Sequence, residues 1–452
     1  MTTIANFPYF PLEHDADGKL KDGAQLTALQ QHVTNNGATD VILIAHGFRN
    51  SEADASNLYA QFLTNFDAHL KTAEFQDIAK RKFAVGAVLW PSKSFKEAAD
   101  SVEGHAQSVG GDDEQRKGAE TALKELRDDP DNAKHKANLD KAIAMLDQIE
   151  DDVARQNEFV DLVLSVTDGI AAEPNEGLDK LRSKDGSAVL ENLRTPVIQP
   201  TKVLSADGDG DGGTNAFTPP ELVGDGGGTQ GIGSFFNSVF GAVGTLLNVT
   251  TWYQMKNRSG VVGAAGVADA VRSIKTLPGA PRVHLVGHSL GGRLMASCAK
   301  SLSSPLLQPD SLTLLEAAFS HYGLSAGNEK HPEGFFRAVV TSNVVKGPLV
   351  ATFSSKDTVV GLTYSVASRL AKDNVKSVGD RNDVYGGIGR NGAIDCDVAV
   401  EKTLHPAGTA YDDIEIGKVM CYDGSDNLIN NHSDITNPAV TYLFASALTH
   451  TT

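Results

Sequence analysis

The stretch LVGHSLGGR, residues 285–293, decides how this chain is read. It sets Ser289 between Gly287 and Gly291, after the apolar run RVHLV and before Leu290, Leu294, Met295 and Cys298, which recur at helical spacing. Gly-x-Ser-x-Gly arises by chance in long chains; a strand before it and a helix after it give it meaning. At such a turn strand and helix approach closely and leave no room for β-carbons, which accounts for both glycines. A serine hydroxyl is a weak nucleophile at neutral pH. Reading Ser289 as a nucleophile therefore calls for a base to take its proton and donors to hold an oxyanion.

The chain supplies candidates for each. The Leu290 N–H, at the start of the helix, is the first oxyanion donor. TDVILIAHGF, residues 39–48, is a buried strand ending in His46-Gly47-Phe48; Gly47 lets the chain bend so that the Phe48 N–H faces Ser289. PLVATFSSKDTVVG, residues 348–361, puts Asp357 in the loop after a later strand, as the orienting acid. Glu316, closing SLTLLE, is the second candidate for that role. INNHSDITNPAVTYLFASAL, residues 429–448, offers His432 as base, with Asn437 and Pro438 opening a last helix. His321, His331, His405 and His450 also follow the serine, but none joins a strand exit to a following helix.

Around the turn, short apolar strands alternate with helical patterns: residues 82–92, 282–289, 311–319, 347–355 and 414–424 all read as strands. Ser51 and Asp54 form a capping-box start for a helix carrying Leu58, Tyr59, Phe62, Leu63, Phe66 and Leu70. This alternation predicts an α/β fold, a mostly parallel sheet with helices on both faces and ligands at the carboxyl ends of its strands.

Between the strand ending at Trp90 and the turn at Ser289 lies far more chain than a crossover needs, so a large helical insertion is expected. The division is 1–95 and 245–452 for the two parts of the core, and 96–244 for a helical lid or packing arm. Within it Leu139, Ala142, Leu146, Ile149, Val153, Val160 and Val163 predict a helix packed along one partner, with residues 114–129 as that partner. Residues 205–233 form a Gly-Asp-rich loop. Asp207, Asp209 and Asp211 imitate the opening of a calcium loop, yet Thr218 stands where that loop needs a bidentate glutamate, so no metal is expected and calcium stays an open question. SFFNSVFGAVGTLL, residues 234–247, with Phe235 and Phe236, reads as a lid segment or a packed helix; residues 248–277 read as a long crossover helix.

The 57 acidic against 40 basic residues leave a formal charge of -17, which repels phosphate backbones and argues against nucleic-acid binding. No apolar stretch is long enough for stable membrane insertion. The first residues, MTTIANFPYF, lack a basic segment followed by an apolar one, so no secretory leader and a cytoplasmic location are expected. Cys298, Cys396 and Cys421 have no metal-ligand spacing; Cys396 and Cys421 lie in strand-like stretches that could pair, though free thiols are the expectation in a reducing cytosol. No sequence signal bears on oligomeric state.

HGF and GHSLGG, with the order Ser, Asp, His, resemble the oxyanion loop, nucleophile elbow and catalytic triad of the α/β-hydrolase family. The resemblance covers residues 1 to about 95 and about 245 to the end, and omits the inserted region. It implies the α/β-hydrolase fold and a serine esterase or lipase-like enzyme, without cofactor, that cleaves a small-molecule or lipid-like carboxylic ester through an acyl-enzyme. An amide, thioester or lactone would suit the same residues. A non-catalytic interaction protein on the same fold is the reading from another class. Phe48, Trp90, Phe95 and Phe319 with His288 are candidate substrate-pocket or core residues.

Overall fold

DVILIA and FAVGAVL, buried along their whole length, pair in parallel within a nine-stranded sheet. The computed structural model describes residues 2–92, 112–194, 238–361, 364 and 381–452. Its strands are β1 (Thr2–Ile4), β2 (Phe7–Glu13), β3 (Asp40–Ala45), β4 (Phe83–Leu89), β5 (Arg282–His288), β6 (Ser311–Leu315), β7 (Leu349–Phe353), β8 (Ala399–Thr403) and β9 (Val419–Asp423). The spatial order is β1-β2-β4-β3-β5-β6-β7-β9-β8, and every neighbouring pair is parallel except β1 with β2. Being covered on both faces, the inner strands read as continuous apolar runs and not as alternation.

Two cores lie on opposite faces of this sheet. On one, Tyr59, Phe62 and Phe66 from the helix Glu52–Leu70 meet Phe444 and Leu448 from the last helix, Pro438–Thr449. On the other, the helices Gly23–Asn36, Val239–Val261, Ala268–Lys275 and Leu290–Ser301 contribute Leu29, Met255, Val271 and Leu294. The capping box predicted at Ser51 is present: Ser51 Oγ accepts from the Asp54 N–H at 3.1 Å, and the Ser51 N–H donates to Asp54 Oδ2 at 2.7 Å. Ser51→Ala is expected to cost about 1 kcal/mol; an unchanged urea midpoint would show that the packed face alone holds this helix.

Several expectations change. Strand β2, absent from the sequence reading, contains Pro8 and Pro11. β1 pairs only with Phe7–Tyr9, so Pro11 meets a ladder on one side only, where a missing N–H is tolerated. The run Leu139 to Val163 is not one helix. It is divided into Lys136–Met145 and Val153–Leu164, the second started by Asp152 accepting from Ala154 and Arg155 N–H; Val153 is exposed. The crossover helix begins at Val239, ahead of the 244/245 division, which falls inside it. Residues 239–247 are therefore part of a packed helix, while Phe235, Phe236, Phe95 and the Asp207–Asp211 loop lie outside the described residues.

That helix continues into a π turn, Val262–Val267, which lies against the helix following Ser289. A β-carbon on Gly263 would stand 2.0 Å from the Leu294 carbonyl oxygen, so glycine is what lets the two backbones touch. All three cysteines are free and buried; Cys396 precedes β8, and the Cys421 thiol, on β9, is pushed up to about 12 by burial. No helix among the described residues is long and apolar enough to cross a membrane.

Candidate active site

The register of β3 on β5 sets Ala45 opposite Gly287, so two residues further on Gly47 meets Ser289. A β-carbon on Gly47 would stand 2.8 Å from Ser289 Cβ and 3.3 Å from its Oγ. Ser289 itself adopts φ 56° and ψ -125°, a backbone state that side chains rarely take, and caps the helix Leu290–Ser301. The turn is held by main-chain bonds: the Ser289 N–H donates to Leu315 O at 3.0 Å, and Ser289 O accepts from Gly292 at 2.9 Å and Ala318 at 3.0 Å. The flanking glycines are obligatory in steric terms. A β-carbon on Gly287 would lie 2.2 Å from Gly291 O, and one on Gly291 would lie 2.4 Å from both Ala45 O and His46 O.

Leu290 is the first residue of its helix, where an N–H has no intrahelical acceptor. Among the described residues no acceptor is bonded to the N–H of Leu290 or of Phe48. The turn carrying Phe48 is locked from behind. His46 Nδ1 donates to Gly47 O at 3.0 Å, its Nε2 accepts from the Trp90 N–H at 3.3 Å, and Trp90 Nε1 donates to His46 O at 2.9 Å while the two rings stack. Tyr59 Oη adds a bridge, accepting from the His46 N–H and donating to Val88 O, both at 2.7 Å.

Asp357 follows β7 and His432 follows β9, and the two meet. His432 Nδ1 donates to Asp357 Oδ2 at 2.8 Å, while Asp357 Oδ1 accepts from the Val360 N–H at 2.9 Å. Both carboxylate oxygens are thus committed, and the imidazole is fixed with its proton on Nδ1 and Nε2 free to accept. His288 Nε2 donates to the His432 carbonyl at 2.8 Å, with the rings 4.7 Å apart, and so ties the histidine loop to the residue beside Ser289. Ser289, Asp357 and His432 are all buried. Among the described residues Ser289 Oγ makes no hydrogen bond.

Three of the candidate pocket residues take other places. Trp90 is part of the lock just described, Phe319 is fully buried edge-on to Phe336, and His288 serves the His432 backbone. Phe48 remains half-buried beside the site.

Glu316, the second candidate acid, is also here. It is fully buried with φ 43°, its Oε2 is 4.0 Å from His432 Nδ1, and neither carboxyl oxygen has a hydrogen-bond partner. Burial and the neighbouring Asp357 charge raise its pKa well above the usual carboxylate range. Donor atoms of Glu316, Asp357 and His432 lie within 4.8 Å of one another, a spacing fit for a divalent cation. A cation there would have to displace the Nδ1 proton that Asp357 already accepts, so this donor set fits a hydrogen-bonded His–Asp pair better than a metal.

Burial also keeps several imidazoles neutral. His46, His14 and His321 are lowered to about 4, and His288 falls well below its usual value. The unfolded chain binds these protons near pH 6.5 and the folded chain does not, so acid destabilises the fold as pH drops from 6.5 toward 4. Glu316 and Glu176, raised by burial, oppose this above their unfolded value near 4.5, because there the folded chain holds protons that the unfolded chain releases. Loss of stability is therefore expected as pH falls from 6.5 to about 4, partly offset above 4.5 by the two glutamates. Urea unfolding at pH 7, 5.5, 4.5 and 4 measures it; a flat profile would mean that these imidazoles are protonated in the folded state.

No family model, curated protein or solved structure matches this chain in comparison.

Proposed function

We propose that the chain is a serine hydrolase of the α/β-hydrolase type, cleaving carboxylic esters through an acyl-enzyme, with Ser289 as nucleophile, His432 as base and Asp357 as orienting acid. The observation that carries this reading is the strained φ 56° turn at Ser289 between β5 and its helix, with the 2.8 Å His432–Asp357 pair at the ends of the neighbouring strands. The strand order supports it, since nucleophile, acid and base follow β5, β7 and β9 in a largely parallel sheet. The helices between β4 and β5 are read as an insertion into that fold.

In this mechanism Ser289 Oγ attacks the ester carbonyl as His432 Nε2 removes its proton. Asp357 stabilises the imidazolium, and the Phe48 and Leu290 N–H groups hold the oxyanion. His432 then protonates the departing alkoxide, leaving Ser289 acylated. Water, deprotonated by the same imidazole, releases the acid and restores the serine. Esters come before amides because their alkoxide leaves more readily.

A fluorophosphonate probe is expected to modify Ser289, located by mass spectrometry, with p-nitrophenyl butyrate hydrolysis lost in parallel. His432→Ala is expected to lose about 10³-fold or more in kcat/KM. Full activity in that variant would move the base role to another histidine. Absence of both labelling and turnover in the unaltered protein would favour a non-catalytic binding role.

A further inference from the structure

The His432 imidazole has two buried carboxyl groups, not one. Asp357 is bonded to Nδ1 at 2.8 Å; Glu316 Oε2 stands 4.0 Å from the same nitrogen, and both Glu316 oxygens are without partners. A fully buried carboxyl with no donor around it and a second carboxyl alongside is costly to ionise, and two such groups share a single negative charge. Asp357 holds that charge because it accepts from both His432 and the Val360 N–H, whereas Glu316 accepts from nothing.

Resting on the hydrolase reading above, we propose that Glu316 is a positioning residue, a proton-carrying reserve acid that becomes the ionised partner of His432 Nδ1 whenever the Asp357 charge is removed. It directly follows β6, the strand next to β7, which delivers Asp357, so the two acids reach one imidazole from adjacent strand ends. Its backbone is fixed. The N–H donates to Thr352 Oγ1 at 3.3 Å, and the helix Ile388–Asn391 packs so closely that a β-carbon on Gly389 would come within 2.4 Å of the Glu316 carbonyl carbon.

The charged and titratable groups facing this pair are few. His432 and Asp357 lie against Glu316, and Asp434, on the loop after β9, adds a further negative field that favours the protonated form. His288 sits beside His432 and is held neutral by burial. From the helix packed over Glu316, Arg390 directs its guanidinium to Asp357 O at 2.9 Å. When Asp357 is made neutral, the negative charge opposing ionisation of Glu316 disappears, and among the described residues Glu316 is then the carboxyl left beside Nδ1. The proton it gives up passes to solvent, and its carboxylate balances the imidazolium formed during turnover.

The test uses the full chain in four forms: unaltered, Glu316→Gln, Asp357→Asn and both together. The expected pattern is non-additive. Glu316→Gln alone retains kcat/KM within about 3-fold, Asp357→Asn retains measurable turnover, and the double variant loses about 100-fold more than Asp357→Asn alone. Two spectroscopic readouts do not depend on hydrolysis. A protonated-carboxyl infrared band at pH 7 should vanish in Glu316→Gln, which also serves if Asp357→Asn does not fold. Nitrogen NMR should show the His432 pKa lower in the double variant than in Asp357→Asn. If the unaltered protein has no hydrolase activity but these spectra behave as described, the hydrolase reading fails and the paired-acid arrangement stands. Additive kinetics, no band assignable to Glu316, or a His432 pKa indifferent to Glu316 in the Asp357→Asn background would each overturn the proposal.

Discussion

Ser289→Ala is expected to lower p-nitrophenyl butyrate hydrolysis by about 10⁴-fold or more, with urea unfolding displaced by no more than about 0.5 kcal/mol. The kinetic loss is large because the acyl-enzyme route needs an atom that forms a bond to carbon, and in this reading that atom is Ser289 Oγ. His288 cannot take the role: its Nε2 is bonded to the His432 carbonyl. The stability change is small because the turn is built from backbone bonds, Ser289 N–H to Leu315 O and Ser289 O from Gly292 and Ala318, none of which involves the hydroxyl. Alanine pays the same conformational cost as serine at φ 56°. Residual turnover near the unaltered rate would remove Ser289 from the mechanism, and a collapse of stability would mean that the loss of activity reports unfolding.

Gly291→Ala should have the opposite signature, a loss of about 3 kcal/mol or more in stability and failure to accumulate at about 37 °C. Its β-carbon would lie 2.4 Å from two successive carbonyl oxygens, Ala45 O and His46 O. Both belong to backbone and cannot swing away as a flexible side chain would: Ala45 closes β3, which is hydrogen-bonded on both sides, and His46 O accepts from Trp90 Nε1. The helix would have to withdraw from β3 and take the Ser289 turn with it, so activity would fall even in the fraction that folds. Gly37→Ala makes the contrast. Gly37, unlike Gly291, sits at positive φ, 64°, but a β-carbon there meets nothing within 4 Å, so only backbone strain of about 1 kcal/mol is expected. Equal stability of Gly291→Ala and Gly37→Ala, read from urea midpoints, would show that the close approach at the elbow can relax.

Much of this was legible in the residues themselves. Buried parallel strands are continuous apolar runs, so β3, β4, β5, β6 and β7 stand out in the chain, and the Ser51-Asp54 box announces its helix. Proline hid β2, because the rule against proline within a sheet depends on how much of each side is paired, which no local pattern records. The break at Asp152 was hidden for a related reason: apolar residues continue at three-four spacing across it, and only the capping bonds show that a new helix starts.

At the site the division is similar. Ser289, Asp357 and His432 each follow a recognisable strand, and the chemistry each residue type can perform follows from its functional group, so sequence alone determined the candidates. Only the tertiary structure decided which carboxyl takes His432 Nδ1, since Asp357 and Glu316 follow adjacent strands and differ by 2.8 Å against 4.0 Å. It also decided that Trp90, His46 and His288 hold backbone groups around the Ser289 turn. The physical reason is range: strand and helix signals are carried by neighbours in the chain. Hydrogen-bond partnership and the desolvation of a charge depend on atoms brought together from strands tens to hundreds of residues apart.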